Sequence, residues 1–161
     1  MHIMAALRTS QRGEHGQATI ELALTLPLLL LVVLGVFDFG LMFQRFEVVT
    51  NAAREGARLA VLTSQYNTAA AQQRALDYLA SGGIAADAGV GCNAGTARSL
   101  CVTVTPGTTT IAGTSPALTV NEMVVSVQYD HQHVFVGPIM GLFGGTLGVT
   151  PLKAVSRMRV E

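Results

Sequence analysis

The sequence predicts an α+β protein. One long N-terminal helix spans a membrane with its first half, and a small domain packs an antiparallel sheet on the second half. Two observations predict this. Apolar residues concentrate near the N-terminus, where the segment Leu22–Phe37 carries no charge. Toward the C-terminus, apolar and polar residues alternate, which is typical of strands buried on one face. The 161 residues suffice for one domain with a modest core.

Residues 17–43 are predicted to form the transmembrane helix. At ~1.5 Å per residue this segment is about 40 Å long, more than the ~30 Å hydrocarbon core of a bilayer. Glu21 and Asp38 lie near its two ends, where a charge costs less than at the bilayer centre. We expect Asp38 to be interfacial, with Arg45 or a partner's cation beside it. Pro27 removes one backbone donor and is expected to kink the helix.

The same helix is predicted to continue to about residue 63, because small and apolar residues recur at spacings of three and four. A stripe of such small residues allows a second helix to approach closely. The candidate packing positions are Ala53, Gly56, Ala57 and Ala60. A further helix is expected at about 68–80, ended by Ser81, Gly82 and Gly83. Residues 44–80 therefore form an extramembrane helical region, and residues 81–161 form the small β-rich domain.

Three strands are expected in that domain. The first covers residues 100–105 and ends at a Pro-Gly pair, so residues 106–117 are assigned to a connection. The second covers residues 120–136 and is long enough to be bent or broken near His131, and the third lies at about 152–160. Residues 137–151, from Gly137 to Pro151, are rich in glycine and are expected to form a partly exposed loop.

Two cysteines and two histidines are candidate metal ligands. Cys92 and Cys101 lie nine apart in a Gly-rich, polar stretch, which favours a local disulfide over two free thiols. A metal site needs three or four ligands, and no histidine lies near this pair. His131 and His133 share one face of the second strand, but no third ligand is evident from the sequence. We therefore expect packed histidines and no metal site.

Composition and motifs argue against several functions. Ten Lys and Arg residues balance ten Asp and Glu residues, so no basic excess indicates nucleic-acid binding. The sequence contains no phosphate-binding loop, no dinucleotide fingerprint and no local nucleophile motif. We expect neither catalytic activity nor a cofactor.

The first residues, 1–16, are short and polar and read as a leader. An ordinary signal peptide has a small-residue cleavage site just after its apolar region. Here that position holds the bulky segment FDFGLMFQRF, residues 37–46. The apolar helix is therefore expected to remain in the mature protein.

The start of the apolar segment resembles a type IV prepilin signal. Gly16 ends the polar leader, and Glu21 is the fifth residue when Gln17 is counted as the first. A narrower pattern follows: Leu26-Pro27, then Asp38-Phe39-Gly40, then Ala-Ala-Arg-Glu-Gly-Ala-Arg from Ala52 to Arg58. This order is similar to that of the TadE-like pseudopilins of tight-adherence (Flp-type) pilus systems. The resemblance covers about residues 13–62.

The resemblance implies a type IV pilin-like fold and cleavage after Gly16 by a membrane aspartic prepilin peptidase. It also implies a cytoplasmic leader and a C-terminal domain outside the bacterial inner membrane. Charge alone leaves this orientation open, because arginines both precede and follow the apolar segment. The expected partners are the peptidase, other pilins or pseudopilins, the inner-membrane assembly platform and membrane lipid, without nucleic acid.

Cleavage would create an amine at Gln17, which can pair with Glu21 of the same chain or of a neighbour. The alternative for Glu21 is a simple position at headgroup depth. The alternative function is a membrane-anchored binding module that is neither cleaved nor part of a filament. A mature chain that starts at Gln17 favours the pilin; an intact start at Met1 or Met4 favours the anchor.

Overall fold

The computed structural model describes residues 11–62, 67–84, 99–113, 116–142, 144–146 and 149–160, with side chains from residue 16 onward in the first helix. The α+β fold class is confirmed. The elements in chain order are α1 (Gln11–Leu62), α2 (Thr68–Ser81), β1 (Leu100–Ile111), β2 (Leu118–His131), α3 (Val136–Leu142) and β3 (Thr150–Arg159).

Helix α1 is continuous over 52 residues, or about 78 Å. It contains Pro27 without ending there. It begins at Gln11, earlier than the predicted Gln17, and it ends at Leu62. Its first half is exposed, whereas its second half carries the buried face against which the rest of the chain packs.

Helix α2 has the boundaries that its sequence predicts. Asn67 caps its N-terminus, because its side-chain oxygen accepts a hydrogen bond from the Ala70 N–H at 3.0 Å. At the other end the Gly82 N–H donates to the Tyr78 carbonyl at 3.0 Å. Gly83 has φ of 76°, a conformation that a side chain would strain. The predicted stop at Ser81, Gly82 and Gly83 is confirmed.

The three strands form one antiparallel sheet in the order β1-β2-β3, with β2 in the centre. Val127 on β2 pairs with Val102 on β1 and Ala154 on β3, and all three side chains are buried. This row fixes the register, since a slip by one residue would move every apolar side chain to the outer face.

The core lies between this sheet, α2 and the second half of α1. The alternate residues of β2 from Met123 to His131 are buried, as the period-two pattern predicts. Small residues of α1 let α2 and the sheet approach it closely. The buried apolar residues of the main cluster are Val49, Ala52, Ala53, Ala57, Ala75, Leu79, Ile84, Leu100, Val102, Val125, Val127, Tyr129, Leu152 and Ala154.

The strand predicted over residues 120–136 ends at His131, where a bend or break is expected, and Val136 already belongs to α3. Two other local predictions are wrong. Strand β1 does not end at Pro106 but continues to Ile111, with Pro106 opposite Met123. Proline is tolerated there because β1 is an edge strand, whose outer N–H groups need no partner strand. The segment 137–151 is not all loop, because Val136–Leu142 forms helix α3. A buried carboxylate supports this short helix, as described below.

Candidate functional site

The predicted cleavage point lies in the exposed N-terminal part of α1. Gly16, Gln17 and Glu21 are all exposed, and no neighbouring atom lies within 4 Å of the position that a Cβ on Gly16 would take. Within the described part of the chain, this point is open to another protein. Gly16 is also the residue type, after proline, that most weakens a helix.

The apolar half of α1 exposes its side chains on all sides. Leu22 is 59% exposed, Leu28 is 69% exposed and Phe37 is 62% exposed. Among the described residues, one helix is long and apolar enough to cross a membrane, and its most apolar window has no buried residue. A helix that is apolar all round needs an apolar surrounding, which a lipid bilayer supplies.

The predicted packing stripe is occupied inside the chain. Ala53, Gly56, Ala57 and Ala60 are buried. A Cβ on Gly56 would lie 3.1 Å from the carbonyl oxygen of Ala71 on α2 and 3.2 Å from the Cβ of Ala75. The small side chains of the stripe therefore allow close helix–helix packing, and the helix packed there is α2 of the same chain.

Asp38 joins the end of the apolar segment to the segment after β2. Its carboxylate is 1% exposed and accepts three backbone hydrogen bonds. Oδ1 accepts from the Val134 N–H at 2.9 Å, and Oδ2 accepts from the N–H groups of Phe135 at 3.2 Å and Val136 at 2.9 Å. Val136 is the first residue of α3 and the other two precede it, so none of these N–H groups has an acceptor within the helix. Asp38 thus fixes α3 against α1.

Arg45 does not pair with Asp38, contrary to the sequence-based expectation. Its Nη1 donates to the Tyr129 hydroxyl at 2.7 Å and lies 3.4 Å from Nδ1 of His131. The guanidinium carbon also lies 5.7 Å from the centre of the Tyr129 ring, within range of a cation–π contact. Arg45 therefore connects α1 to the end of β2, about two helical turns after Asp38.

The two histidines are packed, as predicted, and they lie together. Their ring centroids are 5.1 Å apart in an edge-to-face arrangement, and both residues are buried. Nδ1 of His133 lies 3.7 Å from Oδ2 of Asp38, and Nε2 of His133 lies 2.9 Å from Oγ1 of Thr150. Burial lowers the pKa of His131, and the nearby Arg45 and His133 lower it further, so its imidazole is neutral near pH 7.

The sequence did not identify Asp38 as a buried anchor. A signal for it exists in the helical spacing, because Asp38, Met42, Arg45 and Val49 follow at intervals of three and four residues. That places the carboxylate on the same face as the buried stripe. Its hydrogen-bond partners lie 96 to 98 residues away in the sequence, and no local pattern relates them.

The structure records Cys101 as disulfide-bonded. Cys92 lies outside the described residues, so the pairing of the two stays a prediction.

The charged residues in the second half of α1 lie toward solvent or toward α2. Arg54 and Arg58 are exposed, and Glu55 forms an ion pair of 3.4 Å with Arg74 on α2.

These features define a class: a protein with one candidate membrane helix that continues as the spine of a small α+β domain. Residues 16–58 match the family described as TadE-like protein. The predicted resemblance is thus confirmed over α1. The match supports a minor pilin-like protein associated with the Tad (Flp-type) pilus system, and the single apolar helix supports membrane anchoring of the C-terminal domain. No curated protein and no solved structure matches the chain.

Proposed function

We propose that this chain is a minor pilin or pseudopilin that supports assembly of a Flp-type pilus or a related secretion apparatus, after cleavage behind Gly16 by a prepilin peptidase. The observation that carries the proposal is the position of the TadE-like match. It begins at Gly16 and follows α1 through the apolar segment to Arg58. In this proposal the chain is the substrate of an enzyme and not an enzyme.

Local helix stability bears on the cleavage step. Residues on both sides of Gly16 are helical in the structure, whereas a protease needs an extended substrate segment. Glycine disfavours a helix by ~1 kcal/mol relative to alanine, and Gly13 lies three residues earlier. These two glycines therefore weaken α1 at the proposed cleavage point. Cleavage there leaves the apolar segment intact.

Cleavage gives Glu21 a partner. The new N-terminal amine belongs to Gln17, four residues before Glu21, so the two groups lie on one face of the helix one turn apart. Between charges in a medium of low dielectric constant, the attraction is much stronger than in water. The amine can pair with Glu21 of the same chain or of a neighbour. In an assembly, either pair neutralises a charge that would otherwise oppose burial of the helix.

The assembly surface is proposed to be the exposed apolar segment of α1. The small-residue stripe is covered by α2 and the sheet, so it is not available to a second chain without rearrangement. The segment 17–43 is mostly exposed and offers its side chains to lipid, to other pilins or to an inner-membrane platform. Within this proposal the leader lies in the cytoplasm and the sheet domain lies outside the inner membrane.

The proposal is tested by a Glu21→Ala variant in cells that produce the pilus system. We expect a membrane-inserted, stable chain that no longer copurifies with the other pilus components. Glu47→Ala is the matched control, because Glu47 is an exposed carboxylate on the same helix beyond the apolar segment. Normal copurification of the Glu21 variant would support a membrane-anchored binding module in place of a pilin.

A further inference from the structure

We propose that Asp38, His131 and His133 form a binding site for a zinc-like divalent cation that joins the end of the membrane segment to the sheet domain. The ligand atoms of these three residues all lie within 4.8 Å of one another, and all three residues are buried. They come from α1, from the last residue of β2 and from the segment that follows it. This site goes beyond the proposed pilin function and does not depend on it.

The unpartnered ring nitrogen of His131 supports this assignment. Nδ1 of His131 faces Arg45, which leaves Nε2 for the cluster. This Nε2 is buried and has no hydrogen-bond partner among the described residues. Buried polar atoms are nearly always paired, so an orphaned imidazole nitrogen beside a carboxylate calls for an explanation. A cation bound to Nε2 provides one.

Asp38 and His133 can each still offer an atom to a metal ion. A carboxylate offers about four lone-pair positions. Asp38 uses three of them for the N–H groups at the start of α3. Among the described residues, the contact given for Nδ1 of His133 is the Asp38 oxygen at 3.7 Å. Its Nε2 lies 2.9 Å from Oγ1 of Thr150, which is the outer hydrogen bond that usually orients a metal-binding histidine.

The donor set indicates the kind of cation. Two imidazole nitrogens and one carboxylate oxygen, with a fourth position left for water, are typical of zinc. In a tetrahedral site with bonds of ~2.0–2.1 Å, ligand atoms lie roughly 3.3 Å apart. Nδ1 of His133 and Oδ2 of Asp38 are 3.7 Å apart, and the ligand atoms of all three residues lie within 4.8 Å of one another, so they need to approach by at most about 1.5 Å.

Arg45 opposes the cation. Binding through Nε2 places the proton of His131 on Nδ1, which then faces the Arg45 guanidinium. Arg45 must turn fully to the Tyr129 hydroxyl, to which it already donates at 2.7 Å. The positive charge nonetheless remains close to the cation. Removing it is therefore expected to strengthen binding, an effect that a purely structural cluster would not show.

The test uses the full-length protein in detergent micelles, stripped of metal with EDTA and titrated with Co²⁺ as an optical probe for a zinc-type site. We expect one equivalent of Co²⁺ with visible absorption typical of tetrahedral coordination, and its displacement by Zn²⁺. His131→Gln should weaken binding by about 100-fold or more, above the 10–100-fold expected for Thr150→Val, which removes only the outer hydrogen bond. Arg45→Gln should strengthen binding by about tenfold.

His2 and His15 provide the control, since they are the other two histidines of the chain. A His2→Ala/His15→Ala protein should keep the Co²⁺ spectrum and affinity. Loss of the spectrum in this control, or a His131→Gln protein that binds like the wild type, would overturn the proposal. So would a wild-type protein that binds no Co²⁺. Thr150→Val and Arg45→Gln keep the test decisive if the His131 variant fails to fold, because their predicted effects have opposite signs.

Discussion

Replacing Asp38 by alanine is expected to release α3 from α1. The change removes three hydrogen bonds from backbone N–H groups to a buried carboxylate. A hydrogen bond to a charged group contributes about 1.5–3 kcal/mol, so the lower bound for three is about 4.5 kcal/mol. The segment is partly exposed, however, with Val134 at 49% and Phe135 at 38%. Water can reach the freed N–H groups, which reduces the expected loss to about 3 kcal/mol.

The assay is amide hydrogen exchange in detergent micelles with EDTA present, so that bound metal makes no contribution. A loss of about 3 kcal/mol corresponds to roughly 100-fold faster exchange at Val134, Phe135 and Val136. Asp38→Asn keeps one accepting oxygen and should fall between the wild type and Asp38→Ala. Exchange at Val127, in the centre of the sheet, should change much less, because the lost bonds lie outside the core.

The control is Glu47→Ala, which removes an exposed carboxylate from the same helix and should leave the exchange of all these amides unchanged. Unchanged amide exchange at Val134–Val136 in the Asp38→Ala protein would show that Asp38 does not hold the start of α3. An equal increase at Val127 would also refute it, since that result would mean that Asp38 supports the whole domain and not α3 in particular.

Three further predictions concern the packing of the domain, and thermal unfolding in micelles measures each of them. Gly56→Val places a side chain against the Ala71 carbonyl and should destabilise by about 1–3 kcal/mol, whereas Gly35→Val, with open space around it, should leave the unfolding temperature unchanged. Leu79→Ala empties a fully buried position and should destabilise by about 2–5 kcal/mol, which an equal unfolding temperature would contradict. Cys101→Ser removes the disulfide and should destabilise by about 2–5 kcal/mol; a wild-type protein insensitive to reductant would speak against this.

The sequence predicted the elements whose signals are local. Alternation along β2 identified its buried face, and spacing of three and four along α1 identified the stripe that contains Ala53 and Ala57. The end of α2 followed from Gly82 and Gly83, because a glycine can take the backbone conformation that ends a helix. These predictions hold because each depends on residues within one or two turns of each other.

The features that were missed depend on contacts between distant parts of the chain. Helix α3 contains Gly137 and Pro138 and has weak helical propensity of its own, but Asp38 of α1 accepts the N–H groups at its start. Pro106 ends a strand in a local reading, yet an edge strand tolerates it. The third possible metal ligand could not be found for the same reason. Asp38 is far from His131 in the sequence, and the fold brings the two together.

The mature N-terminus distinguishes a processed pilin from an uncleaved membrane anchor. The protein is produced with a prepilin peptidase, purified from membranes and measured by intact mass and N-terminal sequencing. If the peptidase cleaves after Gly16, we expect a chain that starts at Gln17 and lacks residues 1–16. Gly16→Val should block this cleavage, whereas Gly13→Val, a matched change in the same leader, should permit it. A wild-type protein that keeps an intact Met1 or Met4 start in the presence of the peptidase would contradict processing as a prepilin.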